Sequence, residues 1–133
     1  MDYFDDNGEP DQPQIHQHGS IDYGWGIYIY NPSSEVPVIV NVVHPKDDFI
    51  APPIAVNAFQ MWDARYLMIA GAGREVHWRD YYPSFYNNLS LSDPSRYTNH
   101  VFNIAFQAFA SDIRVSFNRR ELSVQIHSFD YRH

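Results

Sequence analysis

Residues 38–45 read Val38-Ile39-Val40-Asn41-Val42-Val43-His44-Pro45. A nearly unbroken β-branched run of this kind is the mark of a strand covered on both faces. It stops at His44-Pro45, because a proline cannot donate to a strand ladder. Downstream, Tyr66-Leu67-Met68-Ile69-Ala70 is a second short apolar run, closed by Gly71-Ala72-Gly73. Between the two, Ile54, Ala58, Met61 and Trp62 fall on one helical face after Pro52-Pro53, and prolines are tolerated where the first helical amides lack partners. Strand, helix, strand with short joints predicts a right-handed parallel crossover. The expected fold class is therefore α/β: a three-layer domain with a mostly parallel or mixed central sheet of four to six strands.

Working outward, Trp25-Gly26-Ile27-Tyr28-Ile29-Tyr30 alternates and is rich in β-formers, so it reads as a strand. Asn31-Pro32-Ser33-Ser34 is a turn by composition. Asp93-Pro94 is expected to open a second helix, with Asp at the cap and Pro in the first turn. Val101, Ile104, Ala105, Ala108 and Phe109 then supply an apolar face at helical spacing. The aromatic stripe Phe102, Phe106 and Phe109 is most simply core. Ser123-Val124-Gln125-Ile126-His127 reads as a last strand, and Ile113 to Phe117 as a candidate for one more. Residues 74–92 have no convincing period. Residues 1–22 read as a flexible acidic tail, and 23–133 as a single α/β domain.

Composition narrows the function. A chain of 133 residues, 44% of them hydrophobic, can bury a core without covalent staples. There is no cysteine, so any metal must be held by His, Asp, Glu or backbone oxygen. Sixteen acidic against nine basic residues give a net charge of −7, which argues against nucleic acid as a partner. The one dense basic group is Arg114 with Arg119-Arg120. No apolar run reaches the ~20 residues that span a bilayer, and residues 1–20 lack the apolar stretch of a signal peptide. Both a cytoplasmic compartment and export after leader removal stay open.

In open α/β sheets, ligands bind beyond the carboxyl ends of the strands. Three of the expected strands end in reactive residues: His44-Pro45-Lys46-Asp47-Asp48, Gly71-Ala72-Gly73-Arg74-Glu75 and His127-Ser128-Phe129-Asp130. If these ends share one rim, two imidazoles, a carboxylate and a guanidinium converge there. Two His and one carboxylate form a zinc set with an open position, and Arg74 is suited to clamp a substrate carboxylate.

The segments Val43-His44-Pro45-Lys46-Asp47 and Gln125-Ile126-His127-Ser128-Phe129 resemble the pattern of zinc carboxypeptidases and the related N-formylglutamate amidohydrolases. Ala70-Gly71-Ala72-Gly73-Arg74 is similar to the arginine-bearing strand end of bacterial members. The likeness covers residues 23–130 as an order of elements, with motifs of a few residues each. It implies His44 and His127 as zinc ligands, with Asp47 or Asp48 as the third. This chain has Asp where the family has Glu, a shorter reach that favours moving the ligand to Asp48. The family's general base is a Glu on a strand well after the second His, whereas the sequence ends at His133. Glu75, next to Arg74, is the substitute the sequence offers.

Each of these residues also has an ordinary explanation. His44 alone would cap a strand, Asp47 and Asp48 are common turn residues, and Arg74 would pair with Asp63 or Asp80. His16 and His18 lie in the expected tail, and His77 and His100 in polar stretches. Two functions follow. The first is a zinc-dependent hydrolase of amide or peptide bonds, acting on a small-molecule or peptide substrate that bears a carboxylate. The second is a non-enzymatic binding or assembly module, using an aromatic surface such as Tyr81-Tyr82-Pro83-Ser84-Phe85-Tyr86.

Overall fold

A computed structural model describes residues 25–73 and 92–128. The expected tail, the Tyr-rich stretch, Arg74, Glu75, His16, His18 and His77 lie outside them. Six elements follow in order: β1 (Ile27–Tyr30), β2 (Val36–Val42), α1 (Ala51–Met61), β3 (Ala64–Ile69), α2 (Val101–Phe117) and β4 (Leu122–Gln125). The strands form one mixed sheet in the order β1-β3-β2-β4. β2 is parallel to both β3 and β4, and β1 runs antiparallel to β3.

Alternation along β2 divides the core. Val38, Val40 and Val42 pack with Leu67 and Ile69 against Ala51, Ala55 and Ala58 of α1. Ile39 and Val43 pack with Tyr66 and Met68 against Phe102, Ala110 and Ile113 of α2. Successive strand residues point to opposite faces, so the two helices cover opposite sides of the sheet and the fold has three layers. This is why β2 reads as continuously apolar. Asn41 is the exception, buried on β2, where its amide donates to Ser123 Oγ at 2.9 Å and ties β4 into register.

Four local expectations are corrected. The first strand begins at Ile27, because Gly26 has φ 103° and a side chain there would collide with the Ile69 carbonyl. In α1 the buried line is Ala51, Ala55 and Ala58, while Ile54, Met61 and Trp62 are exposed. Three small side chains let the helix lie close on the sheet and leave the larger ones on its flanks. Asp93-Pro94 does not open α2, which starts at Val101 with His100 as its cap. Ile113 to Phe117 is not a strand but the last turns of α2. The buried Phe102, Ala110 and Ile113, with the partly buried Phe106, Phe109 and Phe117, keep helical spacing to the end. Val115, whose β-branching favours a strand reading, is 81% exposed. Burial periodicity outweighs propensity here. The same stripe contains the three phenylalanines expected in the core, although Val101, Ile104 and Ala108 of the expected face are exposed and lie outside it.

His100 links this helix to pH. Its Nδ1 accepts from the Phe102 N–H at 3.0 Å, which requires a neutral ring. Burial pushes the imidazole below a histidine's usual range, against the opposing pull of Asp93. Where the folded ring stays neutral and the unfolded one binds a proton, stability falls as pH falls. The window opens near a free histidine's pKa of about 6.5 and extends down to the depressed folded value. A His100→Asn variant keeps a cap acceptor and is expected to lose this limb of the pH–stability curve. His100→Ala is expected to cost about 1 kcal/mol as well. Urea unfolding across this window checks both, and an unaltered pH profile in the Asn variant would refute the link.

Candidate metal centre

β2 and β4 are adjacent and parallel, so their carboxyl ends lie side by side. His44 follows the first and His127 the second, and their ring centroids are 5.8 Å apart. The chain then folds back tightly after β2. The Asp48 N–H donates to the His44 carbonyl at 2.8 Å, and the Ala51 N–H to the Asp48 carbonyl at 2.8 Å. A four-residue return of this kind places Asp48 back over His44. Asp48 is buried and Asp47 exposed, so the turn decides between the two carboxylates that the sequence leaves as alternatives. His44, Asp48 and His127 each present a ligand atom within 4.8 Å of the others'. Asp47 lies outside this group, and His100 is occupied as the cap of α2.

Contacts within the group are specific. His127 Nδ1 lies 2.9 Å from Asp48 Oδ2, and Ser128 Oγ approaches Asp48 Oδ1 at 3.4 Å. His44 Nε2 lies 3.0 Å from Asp93 Oδ1. Asp93 is 1% exposed and sits in the turn before α2. It also accepts from the backbone and hydroxyl of Ser95, at 2.9 and 2.6 Å, and faces Arg96 Nε at 3.4 Å. Burial raises the Asp93 carboxyl, but the hydrogen bonds from Ser95 and His44 outweigh it and hold it below the usual range. An ionised carboxylate only accepts, so His44 carries its proton on Nε2 and keeps the Nδ1 lone pair free.

Set against known proteins, the chain matches no family model, no curated protein and no solved structure.

The donor set itself can be tested for fit to zinc. Tetrahedral ligands at bonds near 2.0 Å lie about 3.3 Å apart. The His127–Asp48 contact of 2.9 Å is close to that. The three ligand atoms lie within 4.8 Å of one another, so closing on an ion takes a movement of at most roughly 1.5 Å. Two imidazoles and a carboxylate, with a carboxylate behind one imidazole, also make up the usual zinc chemistry. Hence these residues could hold the ion. Asp93 and Arg96 were not apparent as site residues from sequence: Asp-Pro carries the same signal whether it caps a helix or, as here, supports a distant histidine.

Proposed function

We propose that the chain is a zinc-dependent hydrolase of amide or peptide bonds in a carboxylate-bearing substrate. What supports this reading is the convergence of His44 and Asp48, from the turn after β2, with His127, from the end of β4, at one sheet end, with buried Asp93 behind His44. When bound, zinc supplies Lewis acidity towards a carbonyl and brings the pKa of water close to ~7. Asp93 fixes the tautomer and direction of His44. Asp48 and His127 complete the set, and the half-exposed His127 leaves one side open to substrate. Hydrolysis adds water across the C–N bond, so a proton must pass from water to the leaving nitrogen. Glu75, outside the described residues, is our candidate for that transfer.

A substrate carboxylate needs a cation. Arg96 stands one carboxylate away from His44, with its side chain 53% exposed. Its Nε faces Asp93, which leaves the terminal nitrogens to make paired bonds to a carboxylate. Arg96 and Arg74 are thus the two candidates for substrate recognition.

The test is turnover of N-acylated amino acids and short peptides before chelation, after it, and after zinc is restored. Activity should disappear and return. Arg96→Ala is expected to raise KM by about tenfold with kcat little changed, and Glu75→Gln to lower kcat by at least about a hundredfold. A chain that binds no zinc would leave the assembly reading, which the exposed apolar side chains of edge strand β1, Ile27 and Ile29, favour. No helix among the described residues is long and apolar enough to cross a membrane.

A further inference from the structure

The candidate centre stands at the end of a sheet edge to which no other described strand is paired. Among the described residues β4 pairs on one side only, with β2. The Ile126 N–H donates to the Asn41 carbonyl at 2.9 Å, so the backbone groups of Ile126 and, by alternation, Val124 point towards β2. Those of Ser123, Gln125 and His127 therefore point outward. Among the described residues no strand meets them. The edge thus offers amides and carbonyls at a two-residue repeat, and its last outward residue belongs to the His44–Asp48–His127 group.

Charge marks the other end. Arg119 and Arg120 lie just before β4, separated from it by Glu121, and are exposed; the charge of Arg120 also acts on the Glu121 carboxylate, while Arg119 has no ion-pair partner among the described residues. Arg114 is engaged with Glu121 by two bonds, at 3.0 and 3.1 Å. In a chain of net charge −7, the two exposed cations of the one dense basic group sit where this edge begins. From Arg120 to His127 an extended chain covers about 23 Å, the length of six or seven residues.

We propose that β4 docks an extended acidic peptide as a fifth strand, its acidic residues near Arg119 and Arg120 and its main chain leading to His127. A polypeptide backbone is the ligand that matches a row of donors and acceptors at this repeat. The proposal rests on the hydrolase reading, whose substrate class it specifies. Main-chain bonds supply sequence-tolerant affinity, and the arginines supply the preference for acidic segments.

The probe is a fluorescent, end-capped peptide about nine residues long, alternating Glu and Val. Its binding to the full chain is followed by anisotropy, with zinc and with chelator. The Glu peptide should bind at least about tenfold more tightly than a Lys–Val counterpart. The pair Arg119→Glu, Arg120→Glu should reverse that order. N-methylation of one alternating set of peptide amides should abolish binding, while methylation of the other set changes it by no more than roughly twofold. The methylated peptides leave the protein intact, so misfolding cannot imitate the result. No binding, no preference by charge sign, or equal effects of the two methylation sets would overturn the proposal. So would sedimentation showing that a second copy of the chain already occupies β4. Failure of the hydrolase reading appears separately, as absence of zinc in the parent chain, a quantity that the arginine variants do not alter.

Discussion

Zinc held at about one equivalent by the parent chain is expected to fall to background when His44 and His127 are both replaced by alanine. Structural zinc sites release roughly 10–16 kcal/mol through four ligands, or about 3 kcal/mol for each. Two ligands lost together weaken binding by roughly four orders of magnitude. The fold should survive, because both imidazoles stand beyond the strand ends and neither belongs to the two apolar clusters. The change removes one of the bonds that Asp93 Oδ1 accepts, at a cost of about 1 kcal/mol, while the two from Ser95 remain. Elemental analysis after dialysis against a weak chelator measures the ion, and circular dichroism checks the fold. Equal zinc in parent and variant would move the centre elsewhere. No zinc in the parent would end the hydrolase reading.

Asp93→Asn should weaken zinc binding by about 10–100-fold while touching no ligand. The carboxylate accepts from His44 Nε2 and so leaves the lone pair on Nδ1. A carboxamide can instead donate to Nε2, which moves the proton to Nδ1 and removes the lone pair a cation needs. Nitrogen chemical shifts of His44 report the tautomer, and competition with a chromophoric chelator reports the affinity. Unchanged affinity would show that Asp93 only packs. Asp93→Ala removes the acceptor altogether and, with buried charge pairing lost, should also destabilise the fold by about 3 kcal/mol. Because the Asp93 carboxyl is depressed when folded, its contribution is complete above the free carboxyl value of about 3.9 and declines as pH drops through the folded value. The Asn variant should therefore lose less stability than the parent below about pH 4, a window well separated from that of His100.

Much of the architecture was legible in one dimension. The runs at 38–43 and 66–70 needed burial on both faces, and the helix between them predicted parallel neighbours. That reasoning also put His44 and His127 at strand ends, since a ligand-bearing rim follows from parallel strands. Smaller features were misread where two local signals competed. Asp93-Pro94 looks like a helix start, and Ile113 and Val115 look like strand, yet the phenylalanine and alanine stripe extends the helix from Val101 to Phe117. In α1 the large apolar residues suggested the buried face, but contact with a flat sheet selected the alanines.

From its residues alone, the chain determines a helix-covered sheet and two histidines at its edge, because hydrophobic periodicity is a local property that any stretch of sequence displays. Only the tertiary structure decided that Asp48 rather than Asp47 joins them, that Asp93 stands behind His44, and that Arg96 stands behind Asp93. Those choices depend on a turn geometry and on a pairing across 49 positions of chain. No periodicity encodes a contact of that kind, since it exists only once the strands and helices have packed.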